Sequence, residues 1–286
     1  MRLLPAPLGL RALPREVRGA FAAGARRLQG DWAEDEWGYD PEFARLVQPG
    51  LDVLYDRWWR VRAEGLEHVP RTGRVLIVAN HAGVLPWDAS MMATAIRREV
   101  GREPRFLVLD WAFELPWVGS AIRAFGGVPA SPHNARRLLD QDHAVMAFPE
   151  GAKGVGKPWG ERYRLERFGR GGFVELSLRT QAPIVPCGVV GSEEIYPKLG
   201  ELPVVARLFR APYIPITPTF PWLGPLGLIP LPSKWYIEFG EPIRTDRHDP
   251  ADADDPMLVF NLTDQVRETI QHTLYKLLVQ RRSVFF

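Results

Sequence analysis

A single cysteine, Cys187, stands among 286 residues. One thiol excludes an intrachain disulfide and a cysteine-built metal cluster, and it predicts a reducing compartment such as a bacterial cytoplasm. Long apolar runs are missing too, since no stretch reaches the roughly 18 uninterrupted apolar residues of a membrane span. The first apolar run is short and broken by Pro5, Pro7, Arg11 and Pro14 without a small-residue cleavage site, so no signal peptide is expected. Charge of one sign is scarce: 36 Lys+Arg oppose 34 Asp+Glu, a formal net charge of +2, which argues against bulk nucleic-acid binding. Internal repeats and low-complexity segments are absent. The hydrophobic fraction of 46% with so small a net charge excludes intrinsic disorder.

The near-zero total hides two opposed blocks. Between Met1 and Gly30, Arg2, Arg11, Arg15, Arg18, Arg26 and Arg27 face Glu16 alone, whereas Asp31 to Glu42 holds only acids. An N-terminal arm over residues 1–50 is therefore expected, its basic part suited to an anionic membrane surface. Residues 51–286 form the expected main domain.

Within that domain, short and continuously apolar runs read as strands buried on both faces: Trp59 to Ala63, Val75 to Asn80, Phe106 to Asp110, Ala144 to Phe148, Ile184 to Val190 and Trp235 to Phe239. Helical patterns lie between them, at Pro86 to Glu99 and from about Gly171 to Gln181. Such alternation predicts an α/β fold with a mostly parallel mixed sheet flanked by helices. A last helix is signalled by Asp255 as cap, Pro256, an apolar stripe of Leu258, Leu262, Val266, Ile270, Leu274, Leu277 and Leu278, and Arg281 and Arg282 at its end. Leu208 to Pro232 is too rich in proline for a helix and too apolar for an ordinary loop, so it reads as a stiff segment laid over the core, as an apolar platform facing lipid or an acyl chain, or as both. Ten tryptophans would suit such a surface, but Trp58, Trp59 and Trp235 sit in strand-like or helical contexts and are read as core.

Two stretches carry chemistry. In RVLIVANHAGVLPWDAS a buried strand ends at Asn80 and His81, a glycine-bearing loop follows, and Asp88 sits in the first turn of a helix; catalytic groups in open α/β sheets collect at such strand ends. His81 is placed to act as a general base, with Asp88 to orient it if the loop folds back. In AVMAFPEGAKG another strand runs into Glu150, Gly151 and Lys153, where a carboxylate can accept from a hydroxyl, glycine lets a ligand approach, and lysine can meet a phosphate. The glycine and lysine spacing of Gly151 to Lys157 also fits a phosphate-binding loop, but Pro158 stands where Ser or Thr must ligate magnesium, and no Gly-x-Ser-x-Gly elbow is complete. His68, His133, His143, His248 and His272 show no metal-ligand spacing, and Cys187, inside an apolar strand, reads as an inert core thiol.

Asn80-His81 with Asp88, then Phe148-Pro149-Glu150-Gly151, then Val185-Pro186-Cys187-Gly188, in that order, resemble three sequence blocks of the glycerolipid (lysophosphatidate-type) acyltransferase family over about residues 58–245. The resemblance implies a single acyltransferase domain, an acyl-CoA or acyl-carrier-protein donor, a glycerolipid acceptor and no metal. It further implies His81 as base on the acceptor hydroxyl, Asp88 as orienter, and Glu150 and Gly151 in the acceptor site, with Asn80 and Lys153 beside them. Six residues separate His81 from Asp88, where the family usually has four, and HAGVLPWD is closer to the monoacylglycerol and diacylglycerol acyltransferase-like branch. The block at Gly126 to Ser131 lacks the family's phosphate-gripping arginine, so Arg136 and Arg137 are the expected substitutes, or the acceptor is neutral. An acyltransferase working peripherally on the cytoplasmic side of a membrane is the resulting expectation. The rival is a non-catalytic lipid-binding protein that keeps the fold.

Overall fold

The computed structural model describes residues 34–82, 85–115, 118–151, 154, 156–208 and 214–285, so the basic segment before Gly30 and Lys153 lie outside the described residues. The apolar runs assemble into a seven-stranded sheet of β1 (Arg62–Glu64), β2 (Val75–Ala79), β3 (Arg105–Val108), β4 (Gly127–Pro129), β5 (Ala144–Ala147), β6 (Ile184–Val190) and β9 (Tyr236–Phe239), with β7 (Gly200–Glu201) and β8 (Pro215–Ile216) in a separate two-stranded antiparallel sheet. The order is β1-β9-β6-β2-β5-β3-β4. Every neighbouring pair in it is parallel except β6 with β9. The expected mostly parallel mixed sheet is the one observed.

Parallel neighbours need crossovers, and helices supply them. The described helices are, in chain order, α1 (Pro41–Val53), α2 (Trp87–Glu99), α3 (Trp111–Glu114), α4 (Val118–Ala124), α5 (Pro132–Asp140), α6 (Gly172–Thr180), α7 (Pro203–Leu208) and α8 (Pro256–Gln280), of which α1 precedes and α8 follows the sheet. Strand β2 shows why its run is continuously apolar. Val75, Ile77 and Ala79 face a core with Met91, Met92 and Ile96 of α2 and with Trp59 and Trp235. Leu76 and Val78 face a second core with Leu138 of α5, Leu178 of α6 and Val266, Ile270 and Leu274 of α8. Side chains alternate across a strand, so a strand between two helical layers must be apolar at every position.

Helix α8 is capped as its sequence indicates, Asp255 accepting from the Met257 and Leu258 amides. Leu262, Val266, Ile270, Leu274 and Leu277 of its stripe are buried and Leu258 and Leu278 partly so, but Arg281 leaves the helix to pair with the buried Glu194. Other expectations need correction. Helix α1 runs through residue 50, the expected end of the arm, because Asp40 caps it and Leu51 packs into the core. Trp59 is not in a strand: its amide closes a π-turn on the Leu54 carbonyl, and β1 begins only at Arg62. Trp59 and Trp235 are nonetheless fully buried and stacked with centroids 4.8 Å apart. Trp58 is at the surface, where its indole N–H donates to the Pro230 carbonyl. Leu109 and Asp110 fall beyond β3, since Asp110 already takes helical dihedrals to start α3.

Candidate active site

The carboxyl ends of β2, β3, β4, β5 and β6 lie along one edge of the sheet, where the chain leaves each parallel strand for a loop or helix. At the end of β2 the buried Asn80 side chain takes over from the ladder. Its amide donates to the Val189 carbonyl at 2.9 Å and its oxygen accepts from the Val189 N–H at 2.8 Å. One donor and one acceptor of the side chain are thus spent on β6, and they pin the next residue, His81.

His81 is held twice. Its Nδ1 lies 2.7 Å from Oδ2 of Asp88, and its backbone N–H donates to Oε1 of Glu150 at 3.1 Å. Asp88 is fully buried in the first turn of α2; Oδ2 also accepts from the Ala82 N–H at 3.0 Å and Oδ1 from the Ala89 N–H at 2.8 Å. That amide from Ala82 explains how a six-residue gap still makes a pair: the loop entrance is folded back onto the same carboxylate oxygen that meets the ring. A carboxylate on Nδ1 fixes the tautomer with Nδ1 protonated and leaves Nε2 free to take a proton. Burial alone would depress the imidazole pKa; the charge and hydrogen bond of Asp88, with Glu150 adding to them, more than reverse it, so the pKa is raised above the ordinary histidine value. The ring packs on Phe148 with centroids 4.6 Å apart.

Glu150 stands just past β5, as the sequence suggests. Its carboxylate is buried and fully engaged: besides His81 it accepts from Lys157 Nζ at 3.0 Å and from the Glu166 N–H at 2.9 Å, both on Oε2. Lys157 also donates to Glu193 Oε1 at 3.1 Å and to the Arg164 carbonyl at 3.3 Å. Burial opposes the lysine's charge, but Glu193 and Glu150 outweigh it and raise its pKa. Glu193 is pushed up to about 7 by burial, against the pull of Lys157 and the Tyr163 N–H. Glu150 thus ties the ends of β2, β5 and β6 together, both its oxygens being engaged by protein groups. The lysine that completed the phosphate-loop spacing is this buried partner.

Beside His81 opens a cavity of about 420 Å³, within the range of small-molecule sites. Its wall is almost wholly apolar, built from Phe106 and Val108 of β3, Trp111 and Ala112 of α3, Val118 and Ile122 of α4, and Phe148, Pro149 and Phe173. Leu85, Leu109 and Val118 on this wall are also exposed to solvent, so the apolar surface continues to the outside. Gly151 lines the cavity with φ +57°, a left-handed conformation that glycine adopts without strain, and its amide turns back to the Phe148 carbonyl at 3.0 Å.

The structure thus brings His81 and Gly151 to one cavity edge, with Asp88 and Glu150 buried behind them. Arg136 and Arg137 are not brought there. Arg136 pairs along its own helix with Asp140, and Arg137 pairs with Glu36 and stacks on Trp37, because α5 packs on the opposite face of the sheet from α2. Asn80 joins β2 to β6 instead of touching the cavity. Cys187 is fully buried, and burial pushes its thiol pKa well up, as befits an inert core residue. Lys157 and Glu193 were missed by sequence reasoning. The one signal for Lys157 was its separation of seven residues from Glu150, and for Glu193 its place just past a strand end.

Residues 60–190 match a family model described as Acyltransferase. An uncharacterized protein of Mycobacterium leprae is 54% identical over 280 residues, covering 97% of this chain and 76% of its own length. Phytyl ester synthase 1, a chloroplastic protein of Arabidopsis thaliana, is 29% identical over 220 residues, 64% of this chain and 29% of the plant protein. Among solved structures, the 1-acyl-sn-glycerophosphate acyltransferase of Thermotoga maritima shares the fold with a TM-score of 0.57 at 17% identity, over 93% of this chain and 92% of that one.

Proposed function

The chain belongs to the acyltransferase family, and from that premise we propose that it moves a fatty acyl group from an acyl-CoA or acyl-carrier-protein thioester to a hydroxyl of a glycerolipid such as lysophosphatidate or monoacylglycerol. One observation carries the reading: a histidine paired through Nδ1 with a buried aspartate at 2.7 Å stands at the edge of an apolar cavity. The cavity supplies a dry site for hydrocarbon, and the pair supplies the base.

The steps follow from that geometry. Nε2 of His81 removes the proton of the acceptor hydroxyl as its oxygen attacks the thioester carbonyl carbon. The Asp88 carboxylate stabilises the imidazolium that forms and keeps the ring in place. Collapse of the tetrahedral intermediate breaks the carbon–sulfur bond, and the imidazolium returns its proton to the departing thiolate. Histidine acts as base, so no covalent enzyme intermediate is needed. Asn80 and Glu150 act one step back, holding the backbone that presents the ring.

Such substrates sit in membranes, and the reading places the enzyme peripherally on the cytoplasmic side of one. No described helix is long and apolar enough to cross a bilayer. Support comes instead from the proline-rich segment. No charged residue occurs from Ala211 to Ser233. Its end is fastened to the body, with the Trp58 and Trp59 indoles donating to the carbonyls of Pro230 and Leu231 and Arg60 to that of Pro232. The stretch before it stands out, Trp222 at 74% exposure with Leu223, Leu226, Leu228 and Ile229 also exposed. Both expected roles are combined: one end covers the core and the other offers apolar side chains suited to a headgroup boundary.

The test is release of free CoA thiol from acyl-CoA when purified protein receives monoacylglycerol or lysophosphatidate. Acceptor-dependent release supports the reading. No release with either acceptor, together with lipid binding unaltered by His81→Ala, hands the chain to the non-catalytic lipid-binding alternative.

A further inference from the structure

One lip of the apolar cavity is cationic. Between the Trp159–Glu161 turn and α6 the chain buries Leu165 and Phe168 and leaves Arg167 and Arg170 exposed. Arg170 lines the cavity that holds His81. The same stretch, Phe168 to Arg170, is also a wall of a second cavity of about 600 Å³, into which Arg167, Arg179 and Arg267 contribute. Two cavities therefore share a partition, one apolar beside the catalytic pair and one polar.

The arginines of the polar cavity differ in their commitments. Arg179 pairs with Asp254 at 2.6 Å, and Arg267 donates to the backbone oxygens of Glu166 and Leu165. Arg167 and Arg170 have no hydrogen bond or ion pair among the described residues. Glu175 and Asp264 also line this cavity, so its own balance of charge is close to even once Arg179 and Asp254 are paired. The uncommitted positive charge lies on the partition at Arg170 and immediately before it at Arg167, on the side of the second cavity. A substrate with hydrocarbon in the first cavity and its reacting carbon near His81 would pass its polar part over that partition. A planar guanidinium there is matched to phosphate, which it can grip with two parallel hydrogen bonds.

Building on the acyl-transfer reading, we propose that Arg167 and Arg170 form an anion-binding lip that takes a phosphate group carried by one of the two substrates. It occupies the place in the chemistry that Arg136 and Arg137 vacate by packing on the far side of the sheet. Phosphate reaches this site from either of two sources, the headgroup of a phosphorylated acceptor or the nucleotide part of a CoA thioester.

Direct binding separates the sources and does not depend on turnover. Calorimetric titrations of the full chain use CoA, lysophosphatidate in neutral phosphatidylcholine vesicles, and monoacylglycerol in the same vesicles. Three proteins are compared: the native chain, the Arg167→Gln/Arg170→Gln double variant, and Arg247→Gln, an exposed cation outside both cavities. Each guanidinium–phosphate bond lost should weaken binding about tenfold. The double variant is expected to bind one phosphate-bearing ligand at least that much more weakly and with a flatter salt dependence, while Arg247→Gln binds as the native chain does. Loss confined to CoA assigns the lip to the donor, and loss confined to lysophosphatidate assigns it to the acceptor. Unchanged binding of both, no binding of either to the native chain, or an equal loss for monoacylglycerol overturns the lip. A lip effect in protein that releases no thiol would instead sink the acyl-transfer reading and leave anion binding in place.

Discussion

At the scale of single residues, the proposed chemistry turns on which nitrogen of His81 is free. Asp88 holds Nδ1, so Nε2 is the nitrogen free to serve as the proposed base. His81→Ala should lower kcat by about 10²- to 10⁴-fold with the fold retained, and circular dichroism beside steady-state kinetics checks both halves. Asp88→Asn should cost less, since it removes orientation and charge but leaves a base. Its pH profile is the sharper readout. A general base works only when neutral, so kcat/KM falls as pH drops through the histidine pKa, which Asp88 holds above the ordinary value. Removing the carboxylate leaves burial as the dominant influence, and the acid limb should move to lower pH; an unmoved limb contradicts the pairing. Glu150 makes a different prediction from the one its motif suggests. Its oxygens are engaged with His81, Lys157 and Glu166, so Glu150→Ala should lower kcat with little change in acceptor KM. It also removes one of the two carboxylates that hold the buried Lys157, leaving Glu193, a loss of about 1–3 kcal/mol in stability by denaturant titration. A raised acceptor KM with unchanged stability would return Glu150 to the acceptor site.

Elements show what was legible in the chain and what was not. Strands β2, β5 and β6 were readable because burial on both faces leaves no polar position, and α8 because Asp255, Pro256 and a long apolar stripe agree. Trp59 misled because an apolar run looks the same whether it ends a helix or begins a strand; a single hydrogen bond to Leu54 decides it. His81, Asp88 and Glu150 were legible as residues at strand and helix ends. Their connections were not, since Lys157 reaches Glu193 across 36 residues and Asn80 reaches Val189 across 109, and no local pattern encodes such a pairing. Asn80 tests this scale. Replacing it with alanine leaves both backbone groups of Val189 unpaired in the core, a cost of about 1–3 kcal/mol, measurable as a lower denaturation midpoint. Activity should fall as well, because β2 then presents His81 from a looser end.

For the whole molecule the question is where it meets its lipid. Two surfaces of different character are proposed to serve, the basic residues before Gly30 and the apolar shelf around Trp222. They separate by salt. Deleting residues 1–30 should weaken binding to anionic vesicles at low ionic strength and matter little at high, each cation near the surface contributing about 1 kcal/mol. Trp222→Ser with Leu226→Ser should weaken vesicle binding by about tenfold at any salt concentration, since it removes apolar contact. Vesicle co-sedimentation that is indifferent to both changes would mean that neither surface docks. Docking serves a purpose only if the histidine pair at the cavity edge transfers acyl groups, and that claim has a direct measurement. Mass spectrometry of lipids after incubation with an acyl-CoA series and either lysophosphatidate or monoacylglycerol should show a newly acylated glycerolipid with the native chain and none with His81→Ala. The same product from both proteins, or no product from the native chain with any donor and either acceptor, contradicts the account.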